Sequence, residues 1–201
     1  MSIYALKPKF QALLRPLVRY LAARDISANG VTLGACALSV LTGLLLSLGL
    51  YYGYLASLWL LPVFLFLRMA MNAIDGMLAR EHQQQSALGG YLNELTDVVS
   101  DVALYLPLCL LPNMPTWLVV LMVLQTMLTE FAGILGSVHG NSRRYDGPMG
   151  KSDRAFWIAI LALVWFGFPA VLQYNATILV VLNVLLALTT YRRIQKGLQD
   201  A

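Results

Sequence analysis

Three long stretches of this 201-residue chain contain no charged side chain, and they constrain its fold more than any other feature. They cover residues 26–67, 102–129 and 155–191, which is 42, 28 and 37 residues. A helix rises about 1.5 Å per residue, so 42 helical residues reach roughly twice the thickness of a bilayer's hydrocarbon core. With 59% hydrophobic and only 12% charged residues, a disordered chain, a secreted disulfide scaffold and a soluble nucleic-acid binder are excluded.

Breaks inside these stretches divide them into membrane-spanning helices. Glycines and tyrosines at 49–54, prolines at 112–115 and the Gly-Phe-Pro run at 167–169 are typical of turns near a membrane interface. The sequence therefore predicts an all-α integral membrane protein whose residues 27–201 form six transmembrane helices. The predicted spans are 31–50, 54–79, 88–111, 116–138, 154–173 and 176–191.

The distribution of basic residues predicts how these helices are oriented. Thirteen of the fourteen lysines and arginines lie on one side of the predicted bundle, and Arg68 is the exception. Cytoplasmic segments carry such an excess of positive charge, so both termini are predicted to be cytoplasmic. We expect no cleavable signal peptide, because five basic residues interrupt the first 25.

Residues 1–26 are predicted to form a separate helix before the first span. Apolar side chains recur there at i, i+3, i+4, i+7, i+8 and i+11, with basic residues on the rest of the surface. A basic amphipathic helix lying in the cytoplasmic membrane interface is expected, and an ordinary cap packed on the bundle is the alternative. The apolar positions are Phe10, Leu13, Leu14, Leu17, Val18 and Leu21.

Ionisable side chains inside the predicted spans indicate a functional cavity, because a charge at membrane depth is costly unless it is paired or faces water. Asn72 and Asp75 are three residues apart, and Asn93, Asp97 and Asp101 are spaced by four, so each set shares one helical face. A hairpin of spans two and three would bring both faces together near the cytoplasmic boundary. The six ionisable residues are Arg68, Asp75, Glu94, Asp97, Asp101 and Glu130.

Oxygen ligands without histidine or thiolate suit the hard cations Mg²⁺, Mn²⁺ and Ca²⁺, and we expect such an ion to hold phosphate. Gly76, Ala79 and residues 89–90 would let a ligand or a neighbouring helix approach the backbone. Helix packing alone would explain the glycines, but it does not explain three acids on one face. Arg68 and Glu130 are interpreted either as part of the cavity or as a buried pair joining spans two and four.

The residues from 72 to 97 resemble the signature of the CDP-alcohol phosphotransferase family, D-x2-D-G-x2-A-R-x8-G-x3-D-x3-D. Six of its eight fixed positions are matched at full spacing, by Asp75, Gly76, Ala79, Arg80, Gly89 and Asp97. The S-A-N-G-V-T run before span one and the G-K-S-D-R run at 150–154 also resemble family segments. The resemblance extends to the six-span topology and the preceding helix, and it implies a homodimer in the membrane.

The resemblance implies an enzyme that moves a substituted phosphate group from a CDP-linked lipid donor, such as CDP-diacylglycerol, to a small alcohol or phosphorylated alcohol, releasing CMP in phospholipid biosynthesis. It implies one or two Mg²⁺ or Mn²⁺ ions, an active site on the cytoplasmic side and a bacterial inner membrane location. Implied metal ligands are Asn72, Asp75, Asn93 and Asp97, and implied nucleotide-binding residues are Asn29, Asp75, Gly76, Ala79, Arg80 and Gly89. Asp97 is the implied catalytic base, with Asp101 as a second catalytic candidate one turn further on.

Two departures from the signature bear on this expectation, because Asn72 and Asn93 stand where the family has aspartate. Each asparagine keeps a carbonyl oxygen but removes a negative charge, which favours one metal over two. Asp101 could restore part of that charge. Glu94 lies about 100° around the helix from Asn93, so its side chain would need a bent path to reach the site.

Basic residues after span four are candidates for holding an acceptor phosphate, although the positive-inside rule alone would also place them there. The acceptor-binding candidates are Arg143, Arg144, Lys151, Asp153 and Arg154. Three alternatives to an active enzyme remain. They are a catalytically silent relative that binds a CDP-lipid, a nucleotide-binding lipid scaffold and a cation-coupled transporter.

Overall fold

The computed structural model describes residues 7–140 and 142–199, and this part of the chain contains helices and turns but no strand. Residues 1–6 of the predicted segment 1–26, and residues 141, 200 and 201 of the predicted segment 27–201, lie outside the described residues. Helices in the described part are α1 (Lys7–Ala22), α2 (Ala28–Tyr51), α3 (Leu60–Glu81), α4 (Ala87–Tyr105), α5 (Thr116–His139), α6 (Lys151–Gly167) and α7 (Asn175–Gln199).

The helices α2 to α7 occupy the regions of the six predicted spans, but several of their ends differ. The helix α3 begins at Leu60, after the 3₁₀ turn Leu55–Trp59, and α7 continues to Gln199. The span predicted at 88–111 ends as an α-helix at Tyr105 and continues as a 3₁₀ turn over Leu106–Leu110. The span predicted at 154–173 likewise ends at Gly167, before the 3₁₀ turn Pro169–Tyr174. Each turn contains a proline near its start, and proline lacks the backbone N–H that an α-helix interior requires.

Within the described residues, four segments are long and apolar enough to cross a membrane. They are Ala28–Tyr51, Leu55–Glu81, Thr116–His139 and Pro169–Gln199. The other two predicted spans differ from these four, because α4 carries three carboxylates and α6 has only 17 residues. The three acids of α4 belong to the site described below, so the composition of that helix reflects the site as well as the membrane.

Close packing of α2 against α4 sets the position of the site. Gly43 of α2 lies so near α4 that an added Cβ would overlap the carbonyl oxygen of Ala103. The main apolar core lies in the middle of the bundle and includes Leu46, Leu61 and Trp165, all completely buried. Both α3 and α4 make their most extensive helix–helix contacts with α2. The helix α2 thus holds both helices of the predicted hairpin.

The helix α1 packs on the end of α3 with part of its apolar face. Val18 is fully buried in a small cluster with Ile74 and Met77, whereas Leu13 is 75% exposed. Arg15 forms an exposed ion pair with Glu81 at 2.9 Å. The helix therefore has an apolar surface left over after packing, which suits the predicted interfacial position.

Candidate active site

The beginning of α2 forms one wall of the site. The backbone N–H of Ala28 donates to Oε1 of Gln84 at 2.6 Å, which ties α2 to the turn between α3 and α4. Asn29 lies against the first turn of α4, where a Cβ on Gly89 would come within 2.8 Å of Asn29 Oδ1. The S-A-N-G-V-T run and the signature glycine therefore pack together, and a side chain at position 89 would have to displace the Asn29 amide.

Asp75 is a buried carboxylate that lacks an ion-pair partner in the described part of the chain. It is 5% exposed, and its Oδ2 accepts a hydrogen bond from Thr32 Oγ1 at 2.8 Å. A buried charge without an ion-pair partner is costly unless a cation compensates it. Asp75 is therefore placed where a bound cation would stabilise the protein.

Asp97 joins the two acidic faces. Its Oδ1 accepts hydrogen bonds from Arg68 Nη2 at 3.3 Å and from Asn72 Nδ2 at 3.4 Å, and its Oδ2 forms an ion pair with Lys151. Because the NH₂ group of Asn72 makes this bond, its carbonyl oxygen is left for a ligand. The faces of α3 and α4 thus converge as predicted, through side chains. Asn93, one turn before Asp97, is half-buried.

The candidate catalytic role of Asp101 does not fit its position. Its Oδ1 binds Arg68 Nη1 at 2.5 Å and its Oδ2 binds Arg154 Nη2 at 2.8 Å, and the residue is 4% exposed. Two guanidinium groups therefore neutralise this carboxylate within the protein. Of the two interpretations of Arg68 and Glu130, the buried pair between them is wrong, because Arg68 turns towards α4 and pairs with Asp97 and Asp101.

Glu130 instead forms ion pairs with arginines of three other segments. Its carboxylate binds Arg143 Nη2 and Arg154 Nη2, both at 2.9 Å, and lies 3.6 Å from Arg193 Nη1. Arg143 also forms an ion pair with Glu94 of α4. These contacts connect α4, α5, α6, α7 and the segment 142–150. We call the following nine residues the charged cluster: Arg68, Glu94, Asp97, Asp101, Glu130, Arg143, Lys151, Arg154 and Arg193.

The remaining acceptor candidates lie beside the charged cluster. Arg144 Nε donates to Asp146 Oδ2 at 3.0 Å, and its backbone N–H donates to the carbonyl of Gly133 at 3.0 Å. Asp153 Oδ2 accepts from the backbone N–H of Gly150 at 3.1 Å, so it caps the start of α6. This capping role differs from the predicted contact with an acceptor.

Candidate nucleotide residues on α3 lie at the end of the helix. The guanidinium of Arg80 lies over the backbone of Gly76, where an added Cβ would be 3.1 Å from Nη2. Arg80 is exposed, whereas Ala79 packs against the apolar cluster around Val18. Gly76 and Arg80 are therefore accessible from the same side, and Ala79 contributes close packing.

Sequence reasoning missed Thr32 and Arg193. Thr32 belongs to the run already noted before span one, three residues after Asn29, so its spacing was an available signal. In the sequence, Arg193 contributes only to the excess of positive charge on one side of the predicted bundle. Nothing in the sequence separates it from its exposed neighbour Arg192, although Arg193 is 2% exposed and donates to the backbone carbonyl of Thr129.

The donor chemistry on α3 and α4 suits a divalent cation. In the described residues no three histidine, cysteine, aspartate or glutamate side chains gather as a metal site. The candidate donors are two carboxylates, Asp75 and Asp97, and the amide oxygens of Asn72 and Asn93, all of them oxygens that Mg²⁺ and Mn²⁺ accept. The unpaired charge of Asp75 calls for a cation, whereas the charge of Asp97 is already balanced by Lys151.

Fold and site together define a helical membrane protein with an oxygen-lined polar site at one end of its bundle. The sequence profile of the CDP-alcohol phosphatidyltransferases matches residues 26–191. The chain belongs to the CDP-alcohol phosphatidyltransferase family, and it is an integral membrane protein.

Two relatives show how far the sequence similarity extends. The chain is 47% identical over 193 residues to the inner membrane protein YnbA of Escherichia coli (strain K12), covering 96% of this chain and 94% of that protein. It is 33% identical over 96 residues to an uncharacterized protein of Aquifex aeolicus (strain VF5), covering 48% of this chain and 45% of that one.

Two solved structures share the fold. Both are of the phosphatidylinositol phosphate synthase PgsA1 of Mycobacterium tuberculosis. The structure in complex with manganese and citrate has a TM-score of 0.75 at 18% identity, covering 92% of this chain and 88% of that one. The structure with CDP-DAG bound has a TM-score of 0.73 at 19% identity, covering 90% and 92%.

Proposed function

We propose that this protein transfers a substituted phosphate group, the phosphatidyl group, from a CDP-alcohol such as CDP-diacylglycerol to the hydroxyl of a small acceptor, releasing CMP. The observation that carries the proposal is the contact of Asn72 on α3 with Asp97 on α4, one turn from the buried Asp75, which is bound to Thr32 of α2. Family membership supports this chemistry. PgsA1, which has the same fold, binds CDP-DAG in one structure and manganese in another, which supports the lipid donor and the divalent ion.

In the proposed reaction, the acceptor oxygen forms a bond to the phosphorus that carries the lipid. The bond from that phosphorus to the bridging oxygen breaks, CMP leaves with this oxygen, and the hydroxyl proton passes to a base. Asp97 is the candidate base and must exchange its contact with Lys151 to take the proton. A Mg²⁺ or Mn²⁺ ion held by Asn72, Asp75, Asn93 and Asp97 would neutralise charge on the diphosphate.

The nucleotide would lie where α2, α3 and α4 meet. Asn29 and Gly89 border this place from α2 and α4, and Gly76 and Arg80 border it from the end of α3. The exposed guanidinium of Arg80 suits a phosphate or a base carbonyl. Close packing at Gly89 keeps the backbone near the ligand.

A catalytically silent relative that binds a CDP-lipid is the second candidate. The ion pair between Asp97 and Lys151 favours it, because a base or metal ligand held by an ammonium group is less available. Two of the four signature aspartates are asparagine, which points in the same direction. A cation-coupled transporter would not account for the family signature.

The placement in the membrane forms part of the proposal. We propose six spans, with α1 in the interface, the site and both termini on the cytoplasmic side of a bacterial inner membrane, and a homodimer as the resemblance implies.

Cysteines introduced at Ser86 and Asn113, at opposite ends of the bundle, would test the orientation with a membrane-impermeant thiol reagent on intact cells. Labelling at 113 and protection at 86 is expected, and the reverse pattern would overturn the orientation.

The proposed reaction is tested by CMP release from the purified protein. The assay combines CDP-diacylglycerol, Mg²⁺ or Mn²⁺ and a panel of polar alcohols with and without phosphate. Asp97→Asn should lower CMP release by about a hundredfold or more, the contribution of a general base. Asp25→Asn, the same change in an exposed turn, should leave it unchanged. Equal CMP release by the Asp97→Asn variant would refute the catalytic assignment, and donor binding without CMP would favour the silent relative.

A further inference from the structure

Every cation of the charged cluster is already bound to a carboxylate of the chain. Lys151 pairs with Asp97, and Arg68 pairs with Asp97 and Asp101. The remaining pairs are Arg143 with Glu94 and Glu130, Arg154 with Asp101 and Glu130, and Arg193 with Glu130.

We propose that the acceptor of this enzyme is an unphosphorylated alcohol, and that Glu94 and Glu130 select against phosphorylated alcohols by holding Arg143 and Arg154. The inference rests on the proposed function and concerns its second substrate. Glu94, Asp101 and Glu130 hold the terminal Nη atoms of these guanidinium groups, whereas the buried Nε of each has no hydrogen-bond partner among the residues that the structure describes. A phosphate on the acceptor would have to take the Nη atoms from their carboxylates, which an uncharged hydroxyl compound need not do.

The balance of charge supports this selection. The cluster contains five cations, and with Asp75 it contains five carboxylates, so its formal net charge is zero. One divalent ion would balance the two negative charges of the donor's diphosphate. A phosphomonoester would then bring up to two further negative charges into a site where Glu130 and Arg154 have side chains only 8% and 2% exposed. Burial makes such uncompensated charge costly.

Glu94 is the residue through which the selection can be tested. Its side chain is 27% exposed and that of Arg143 is 21% exposed, so their ion pair lies at the edge of the cluster. Glu94 is three residues before Asp97 and therefore shares its side of α4. The substitution Glu94→Gln should free one side of Arg143 for an anion while Glu130 still holds the other side.

The first experiment compares matched acceptors in the CMP assay, namely glycerol with glycerol 3-phosphate, inositol with inositol 1-phosphate and serine with phosphoserine. For any pair that gives CMP, kcat/KM should be at least about tenfold higher for the unphosphorylated member, because loss of one charged hydrogen bond has that effect. Equal or higher kcat/KM for the phosphorylated member would overturn the proposal. Absence of CMP with every acceptor would count against the proposed function, and the second experiment would then decide the inference.

The second experiment measures binding of inorganic phosphate to the purified protein in metal-free buffer by calorimetry. Glu94→Gln should bind phosphate at least about tenfold more tightly than the unaltered protein. Glu81→Gln is the matched control, because it removes a carboxylate from the exposed ion pair with Arg15 and should leave phosphate binding unchanged. Tight phosphate binding by the unaltered protein, no gain in the Glu94→Gln variant, or an equal gain in the control would overturn the proposal. The unaltered protein keeps the test decisive if Glu94→Gln fails to fold.

Discussion

Restoring a carboxylate at Asn72 tests the ion site in a way that the structure makes quantitative. Asn72 Nδ2 lies 3.4 Å from Asp97 Oδ1 and donates to it, so Asn72→Asp replaces a donor with a second negative charge. Two unit charges about 4 Å apart repel by about 1 kcal/mol in water and by about 4 kcal/mol at an effective dielectric constant of about 20. In metal-free buffer the free energy of unfolding of Asn72→Asp should therefore fall by about 1–4 kcal/mol.

A divalent cation should reverse this loss. The attraction of one added carboxylate to a doubly charged ion is about 2 kcal/mol at a similar distance in water, which corresponds to about thirtyfold tighter binding. Titration of Mn²⁺ into the purified protein by calorimetry, with thermal unfolding measured in parallel, would provide both quantities. Asn93→Asp should tighten Mn²⁺ binding in the same direction.

Asn113→Asp is the matched control, because it makes the same substitution in an exposed turn between α4 and α5. It should change neither the Mn²⁺ affinity nor the difference in melting temperature with and without Mn²⁺. Unchanged Mn²⁺ affinity in both Asn72→Asp and Asn93→Asp, or an equal gain in Asn113→Asp, would refute the assignment of these positions to a cation site.

Two further substitutions test the framework around the site. Arg68→Met leaves Asp101 and Asp97 short of a buried partner, and urea unfolding should show a loss of about 3–5 kcal/mol; a loss below about 1 kcal/mol would contradict the buried network. Gly43→Leu should separate α2 from α4 and lower both the melting temperature and Mn²⁺ affinity, since a Cβ there overlaps a backbone carbonyl. Gly34→Ala, where the Cβ finds ordinary contact at 3.9 Å, should leave both unchanged, and equal effects would contradict the packing argument.

The positions of the helices were largely predictable because the membrane leaves a strong signal in the sequence. Charge-free stretches and proline-containing breaks located α2, α5 and α7 to within a few residues, except at the C-terminal end of α7, which continues to Gln199. The earlier ends of α4 and α6 follow from Pro107 and Pro169. A hydropathy pattern cannot separate a regular α-helix from a 3₁₀ turn of the same composition.

The convergence of Asn72 and Asp97 was also predictable, because residues at i, i+3 and i+4 share a helical face. The partners of the buried charges were not. Whether Arg68 reaches Asp101 or Glu130 depends on the rotation of α3 and on its separation from α4, which α2 determines by packing against both. The pairing of Lys151 with Asp97 joins residues 54 positions apart on helices whose spacing the sequence does not encode locally.

The most direct test of the account is to locate Mn²⁺ by anomalous diffraction in crystals grown with Mn²⁺ and CDP-diacylglycerol. We predict one ion coordinated by Asp75 and Asp97, in contact with the diphosphate, and an ammonium group of Lys151 that has moved away from Asp97. An ion bound elsewhere, or a diphosphate bound with Lys151 still on Asp97 and no ion at Asp75, would contradict it.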